Sequence, residues 1–202
     1  MGYNDALSLA EKKLAGLTPE DVCRACGSRF TNGNYILKWL DREQIVSEAP
    51  DAKKIIMLHY LLANGPKTRS GRLIAYREAA PALFYEPNFY KRAVGPLVSC
   101  FGSIPEKLIE TGESLGGVRE TIGDASVTVD VLPHIPLTFV IWEGDDEFPP
   151  DGNILFDGTA KAWFNPEDLS VLAGAAVYDM IKAYKNNNKE GYHGKTENHG
   201  SA

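Results

Sequence analysis

Apolar positions along the chain change period repeatedly, and each change marks a new element. Leu7, Ala10 and Leu14 recur at helical spacing until Gly16 interrupts them. Thr18-Pro19-Glu20-Asp21 then reads as a helix start, with Thr18 as cap, Pro19 in the first turn and Asp21 at the reciprocal capping position. This predicts a short helix from Pro19 to about Ala25 that stops before Gly27. From Arg29 the period drops to two. Tyr35, Leu37 and Trp39 alternate with Ile36, Lys38 and Leu40 behind Asn32-Gly33, a pair suited to a tight hairpin turn. A further strand is expected over Arg42 to Val46. Ile55, Leu58, His59 and Leu62 share one face of a predicted helix over 52–63, bounded by Pro50 and by Gly65-Pro66.

The middle of the chain is more broken. Arg72 to Tyr76 predicts a short strand, and Pro81 and Pro87 prevent a long helix between them. Helical spacing resumes over 88–101 with a kink expected at Gly95-Pro96, and a second helix runs from Pro105 to Leu115. Val127, Val129 and Val131 then alternate with polar residues, while Leu137 to Trp142 is almost wholly apolar. The link Pro133-His134-Ile135-Pro136 is too short for a helical crossover, so these two strands form an antiparallel pair. A short strand at Ile154 to Phe156 and a helix opened by Asn165-Pro166-Glu167-Asp168, running to about Tyr184, complete the pattern. Helices do not follow each strand in turn. The expected fold is α+β, a single domain over 1–184 with an antiparallel or mixed sheet packed by several helices. The polar residues 185–202 read as a disordered tail.

Composition narrows the classes. The 202 residues carry 21 Lys and Arg against 27 Asp and Glu, a formal charge of -6, which disfavours a broad nucleic-acid footprint. No apolar run is long enough to span a membrane, and the N-terminus lacks the pattern of a signal peptide. Three cysteines are too few for a disulfide framework and point to reduced thiols in the cytosol.

Chemistry could sit in several places. Cys23 and Cys26 form a Cys-x-x-Cys pair that could hold a metal or act as a redox dithiol. A four-sulfur site is impossible with three cysteines, and the pair falls near a helix end, where the dipole does not favour thiolate. Simple packing of two small side chains is the competing reading. His59 interrupts an apolar helix face; it is either a packed residue bonded through one ring nitrogen, or an axial ligand or proton-transfer group. Glu143, Asp145 and Asp146 offer oxygen ligands for a divalent cation, although they miss the spacing of a calcium loop and could equally face water. Lys67 to Arg72 could receive a phosphate or carboxylate but lacks the glycine pattern of a nucleotide loop. Tyr76, Phe84, Tyr85, Phe89 and Tyr90 could wall a flat ligand or simply build core.

The order Leu58-His59-Tyr60-Leu61-Leu62, Arg77-Glu78, Phe84-Tyr85-Glu86-Pro87, Leu132-Pro133-His134-Ile135-Pro136 and Trp142 through Pro150, then Leu155-Phe156-Asp157, resembles the DUF3786 family. The resemblance covers roughly 3–184. It implies one intact domain, an anaerobic cytosolic setting and relatives joined to iron–sulfur modules of the kind found with corrinoid proteins; it brings no catalytic residues. With no familiar catalytic constellation in the chain, the expected function is a non-catalytic binding or accessory protein of an anaerobic cofactor pathway. Its ligand would be a tetrapyrrole or corrinoid, with His59 as axial ligand and Tyr85 and Phe89 lining the ring. Two alternatives stand beside it. One is a divalent-metal enzyme that gathers Glu143, Asp145 and Asp146 beside His59 or His134. The other is a structural subunit for a protein partner.

Overall fold

The computed structural model describes residues 3–79 and 86–193. Helix α1 (Tyr3–Ala15) and helix α2 (Pro19–Cys26) lead into a small sheet of β1 (Arg29–Thr31), β2 (Asn34–Trp39) and β3 (Arg42–Ile45), all antiparallel. Asn32 and Gly33 both take positive φ, 49° and 77°, as the tight turn between β1 and β2 requires. Gly27 ends α2 in the left-handed conformation, φ 71°, and donates its N–H to Cys23 O. The expected side-chain cap at Thr18 does not form; Asp21 pairs with Arg24 at 3.1 Å instead.

A 3-10 turn at Val46–Glu48 precedes α3 (Asp51–Leu62), whose residues Ile55 to Leu58, Tyr60 and Leu61 are all buried. The second sheet has five antiparallel strands in the order β4-β8-β7-β6-β5: β4 (Leu73–Ala75), β5 (Val118–Glu120), β6 (Ala125–Leu132), β7 (Ile135–Trp142) and β8 (Asp151–Asp157). The fold is therefore α+β. Pro133-His134 closes the β6–β7 hairpin in two residues, with His134 at φ 68° and Leu132 opposite Ile135. Strand β8 is longer than Ile154 to Phe156 because Asp151 to Asn153 continue pairing along β7.

Between the strands lie α4 (Tyr76–Ala79), α5 (Glu86–Phe89), a π turn at Tyr90–Val94, α6 (Gly95–Phe101) and α7 (Pro105–Ser114). The irregularity expected at Gly95-Pro96 falls just before it: Gly95 N–H reaches back to Tyr90 O. Pro96 has no N–H to give, so the preceding turn is where the hydrogen-bond ladder can widen. Helix α7 sits directly on β6. A Cβ at Gly112 would lie 2.5 Å from Val127, so only glycine permits this approach.

After α8 (Ala160–Trp163), helix α9 (Pro166–His193) runs well past Tyr184. Residues 185–193, expected to be disordered, continue the helix, since the segment lacks proline and extends a helix already nucleated by packing; the rest of the expected tail lies outside the described residues. One hydrophobic core joins both sheets, from Leu37 and Trp39 through Phe139 and Ile154 to Leu169 and Val177. Trp39 ties them together. Its Nε1 donates to Asp179 at 2.7 Å, and Lys53 both pairs with Asp179 at 2.6 Å and lies over the indole ring at 5.0 Å. None of the helices among the described residues is long and apolar enough to cross a membrane.

Candidate functional site

His59 is half-buried on α3, and its Nδ1 lies 2.8 Å from an Asp168 carboxylate oxygen. Asn165 Nδ2 donates to the other oxygen of Asp168 at 2.7 Å, while Asn165 Oδ1 accepts the backbone N–H of Asp168. The capping pattern read at Asn165 to Asp168 is present, and it does a second job: the start of α9 fixes the carboxylate that orients the imidazole. With Nδ1 engaged, Nε2 is the nitrogen left to meet a ligand or a proton, the arrangement usual for histidines whose second ring nitrogen is oriented by a carboxylate. The partner of that ring nitrogen, Nδ1, is a side chain 109 positions away.

The other cofactor residues separate. Phe89 is buried and stacks on Tyr76 with ring centroids 4.1 Å apart and an interplanar angle of 6°, and both rings face Phe156. It is core, not the wall of a ring site. Tyr85 and Phe84 lie outside the described residues. His134 stacks on Trp163 at 6.1 Å, and Trp163 in turn stacks on Tyr60 at 4.8 Å and donates to Pro66 O.

The acidic residues stand on the β7–β8 loop. Asp145 Oδ1 accepts the N–H groups of Glu147 and Phe148, which hold its carboxyl below the usual range. Asp145 therefore shapes its own loop. The Glu143 N–H is taken by Asp124. Among the described residues, no three His, Cys, Asp or Glu side chains converge as a metal site. His59 has Asp168 as its carboxylate, and the structure does not bring Glu143, Asp145 and Asp146 to it.

The segment Lys67 to Arg72 does receive a carboxylate, and that carboxylate belongs to the chain itself. Buried Asp157 accepts from Ser70 N and Oγ, Gly71 N, and Thr159 N and Oγ1, at 2.6 to 3.0 Å. Burial alone would raise its pKa, but the donors from Thr159 and Ser70 outweigh that and hold it far below an ordinary carboxylate. This is a structural clamp between the end of β8 and the loop that leads into β4.

Cys23 and Cys26 stand in the last turn of α2. Cys26 is fully buried and donates to Val22 O at 3.0 Å; both sulfurs also contact Ser28 Oγ, Cys26 at 3.1 Å and Cys23 at 3.4 Å. Burial pushes the Cys26 thiol above its usual range.

The feature that sequence reasoning missed is a cleft of about 430 Å³ beside the small sheet. Leu14 and Leu17 from the α1 end, Phe30 and Tyr35 from β1 and β2, Val46, and Leu58 of α3 give it an apolar lining. Two polar pairs stand at its wall: Lys54 Nζ lies 2.7 Å from Glu11 Oε1, and Ser47 Oγ donates to Asn34 Oδ1 at 2.6 Å. Leu17 and Phe30 are exposed, and Phe30 packs on Tyr35 with centroids 4.7 Å apart. Phe30 beside a tight turn, with no apolar neighbour in strand alternation, is the unread sequence signal of this cleft. His59, next to Leu58 on α3, does not line the cleft.

No curated protein and no solved structure matches the chain. The family model described as Domain of unknown function (DUF3786) matches residues 18–179, most of the chain and all of both sheets, and the chain belongs to that family.

Proposed function

We propose that this DUF3786 chain is a binding or accessory protein for a small, largely apolar molecule, working in an anaerobic cytosolic cofactor pathway. The observation that supports this reading is the cleft between α1 and the three-stranded sheet. Its size and apolar lining, with one ion pair at the wall, are the properties of small-molecule sites. Titration of the full chain with an apolar fluorophore such as anilinonaphthalene sulfonate tests it. Saturable binding at one site per chain, abolished by Phe30→Ala with the fold retained, is the expected result. Signal unaffected by Phe30→Ala would remove the cleft from consideration.

A second reading keeps the tetrapyrrole or corrinoid and is favoured by His59, whose Nε2 is aimed by Asp168 and Asn165. If that reading holds, haem or cobalamin added to the anaerobically purified chain gives a saturable shift in the absorption bands. His59→Ala removes the shift and Asp168→Asn weakens it. Absence of a shift with either cofactor eliminates the second reading and leaves the first untouched, since His59 is not part of the cleft.

A further inference from the structure

We propose that Cys23 and Cys26 are a reversible dithiol, with Cys23 the entry thiol that reduces a disulfide substrate and Cys26 the resolving thiol. Spacing comes first. Residues three apart on an α-helix have Cα atoms about 5 Å from each other. That is inside the span a disulfide bridges, roughly 4.4–6.8 Å. The pair stands at the end of α2, where Gly27 breaks the helix, so the last turn can adjust without disturbing a continuing ladder.

Both sulfurs meet at one hydroxyl. Cys26 Sγ shares its one proton between Val22 O at 3.0 Å and Ser28 Oγ at 3.1 Å, and Ser28 Oγ donates to Cys23 Sγ at 3.4 Å. Ser28 is itself buried. Two sulfurs that share a single small bridging group are already close neighbours, and the hydroxyl is a path for the Cys26 proton.

The two thiols differ in access. Cys23 is partly exposed and lines a surface recess with Pro19, Glu20, Arg29, Phe30 and Thr31. Cys26 has no exposed surface. An incoming disulfide can reach Cys23 and not Cys26, which is the asymmetry a two-step exchange needs. The Cys23 thiolate attacks R–S–S–R, forms a Cys23–S–S–R bond and expels the first RS⁻. Cys26 gives up its proton through Ser28 Oγ and attacks Cys23 Sγ; the Cys23–Cys26 bond forms and the second RS⁻ leaves. Two thiols are oxidised, one disulfide is reduced, and the two protons end on two R–SH. Two sulfurs and a hydroxyl, with no third ligand group converging among the described residues, suit this exchange better than a closed zinc site.

The test uses the full chain, purified anaerobically with chelator, exposed to oxidised glutathione, quenched by alkylation and mapped by peptide mass spectrometry. The expected product has lost the mass of two hydrogens, links Cys23 to Cys26 and leaves Cys100 open to alkylation. Cys26→Ser should stop at a glutathione adduct on Cys23, Cys23→Ser should not react at the pair, and Ser28→Ala should slow the second step while the adduct still forms. Metal content of the unchelated chain is measured in parallel. An adduct on Cys23 of the parent chain that persists without resolving, first modification at Cys26 or Cys100, or stoichiometric zinc lost in Cys23→Ser would each overturn the proposal. The mass change of the parent chain decides the matter even if a variant fails to fold.

Discussion

The two sheets of this protein are built to different standards. In β7 every residue from Ile135 to Ile141 is buried, whereas all of β1 is exposed and β2 buries only Leu37 and Trp39. The large sheet is covered by α7 on β6 and by the helices around the π turn and α9; the small one leaves an apolar cleft open beside Phe30. Dense packing and open apolar surface are therefore divided between them. The five-stranded sheet holds the fold, and the three-stranded sheet, with α1 and α2 beside it, presents the cleft and the cysteine pair. A region that must admit a ligand cannot also be packed to interior density, because packing is what removes the space.

That division can be attacked directly. Phe139→Ala, in the middle of β7, should cost about 3–5 kcal/mol, measured by denaturant unfolding; a cost comparable to an ordinary surface change would show that the large sheet is not the stability centre. Asp157→Asn removes the charged acceptor of five hydrogen bonds and should cost about 1.5–3 kcal/mol. The pH dependence follows in sign. Asp157 has a depressed folded pKa, so its contribution is complete above the ordinary carboxylate value and fades as pH falls below about 4. The parent chain should lose stability on acidification more steeply than Asp157→Asn, and parallel curves would remove Asp157 from the account. Phe30→Ala should change stability by no more than about 0.5 kcal/mol while abolishing fluorophore binding. A large stability loss there would mean the small sheet is core after all.

Much of this architecture was legible in the chain. The Asn32-Gly33 turn, the antiparallel β6–β7 pair and the helix stop at Gly27 rest on local chemistry, and local chemistry can be read locally; α3 ends at Leu62, three residues before Gly65. Asn165 behaved as a cap because its side chain and its N–H partner are three residues apart. Thr18 did not, because Asp21, the other half of its expected box, is drawn to Arg24. The site was harder. Asp168 meets His59, and Asp157 meets Ser70, across long stretches of sequence, and no periodicity encodes such a meeting. Phe89 illustrates the opposite error: an aromatic beside a proline looked like a ligand wall and is a stacked core ring. The cleft draws on α1, β1, β2 and α3, so no single segment could announce it.

The Tyr60 hydroxyl has consequences beyond packing. It stands 2.9 Å from Cys26 O and 2.5 Å from Pro133 O, the first at the end of α2 and the second in the β6–β7 turn. A phenol carries one proton and cannot give it fully to both. The two carbonyls share it, and Tyr60 joins the lightly built half of the molecule to the rigid one. The end of α2 and the β6–β7 turn are thereby pinned to one hydroxyl, so Tyr60→Phe would release both at once.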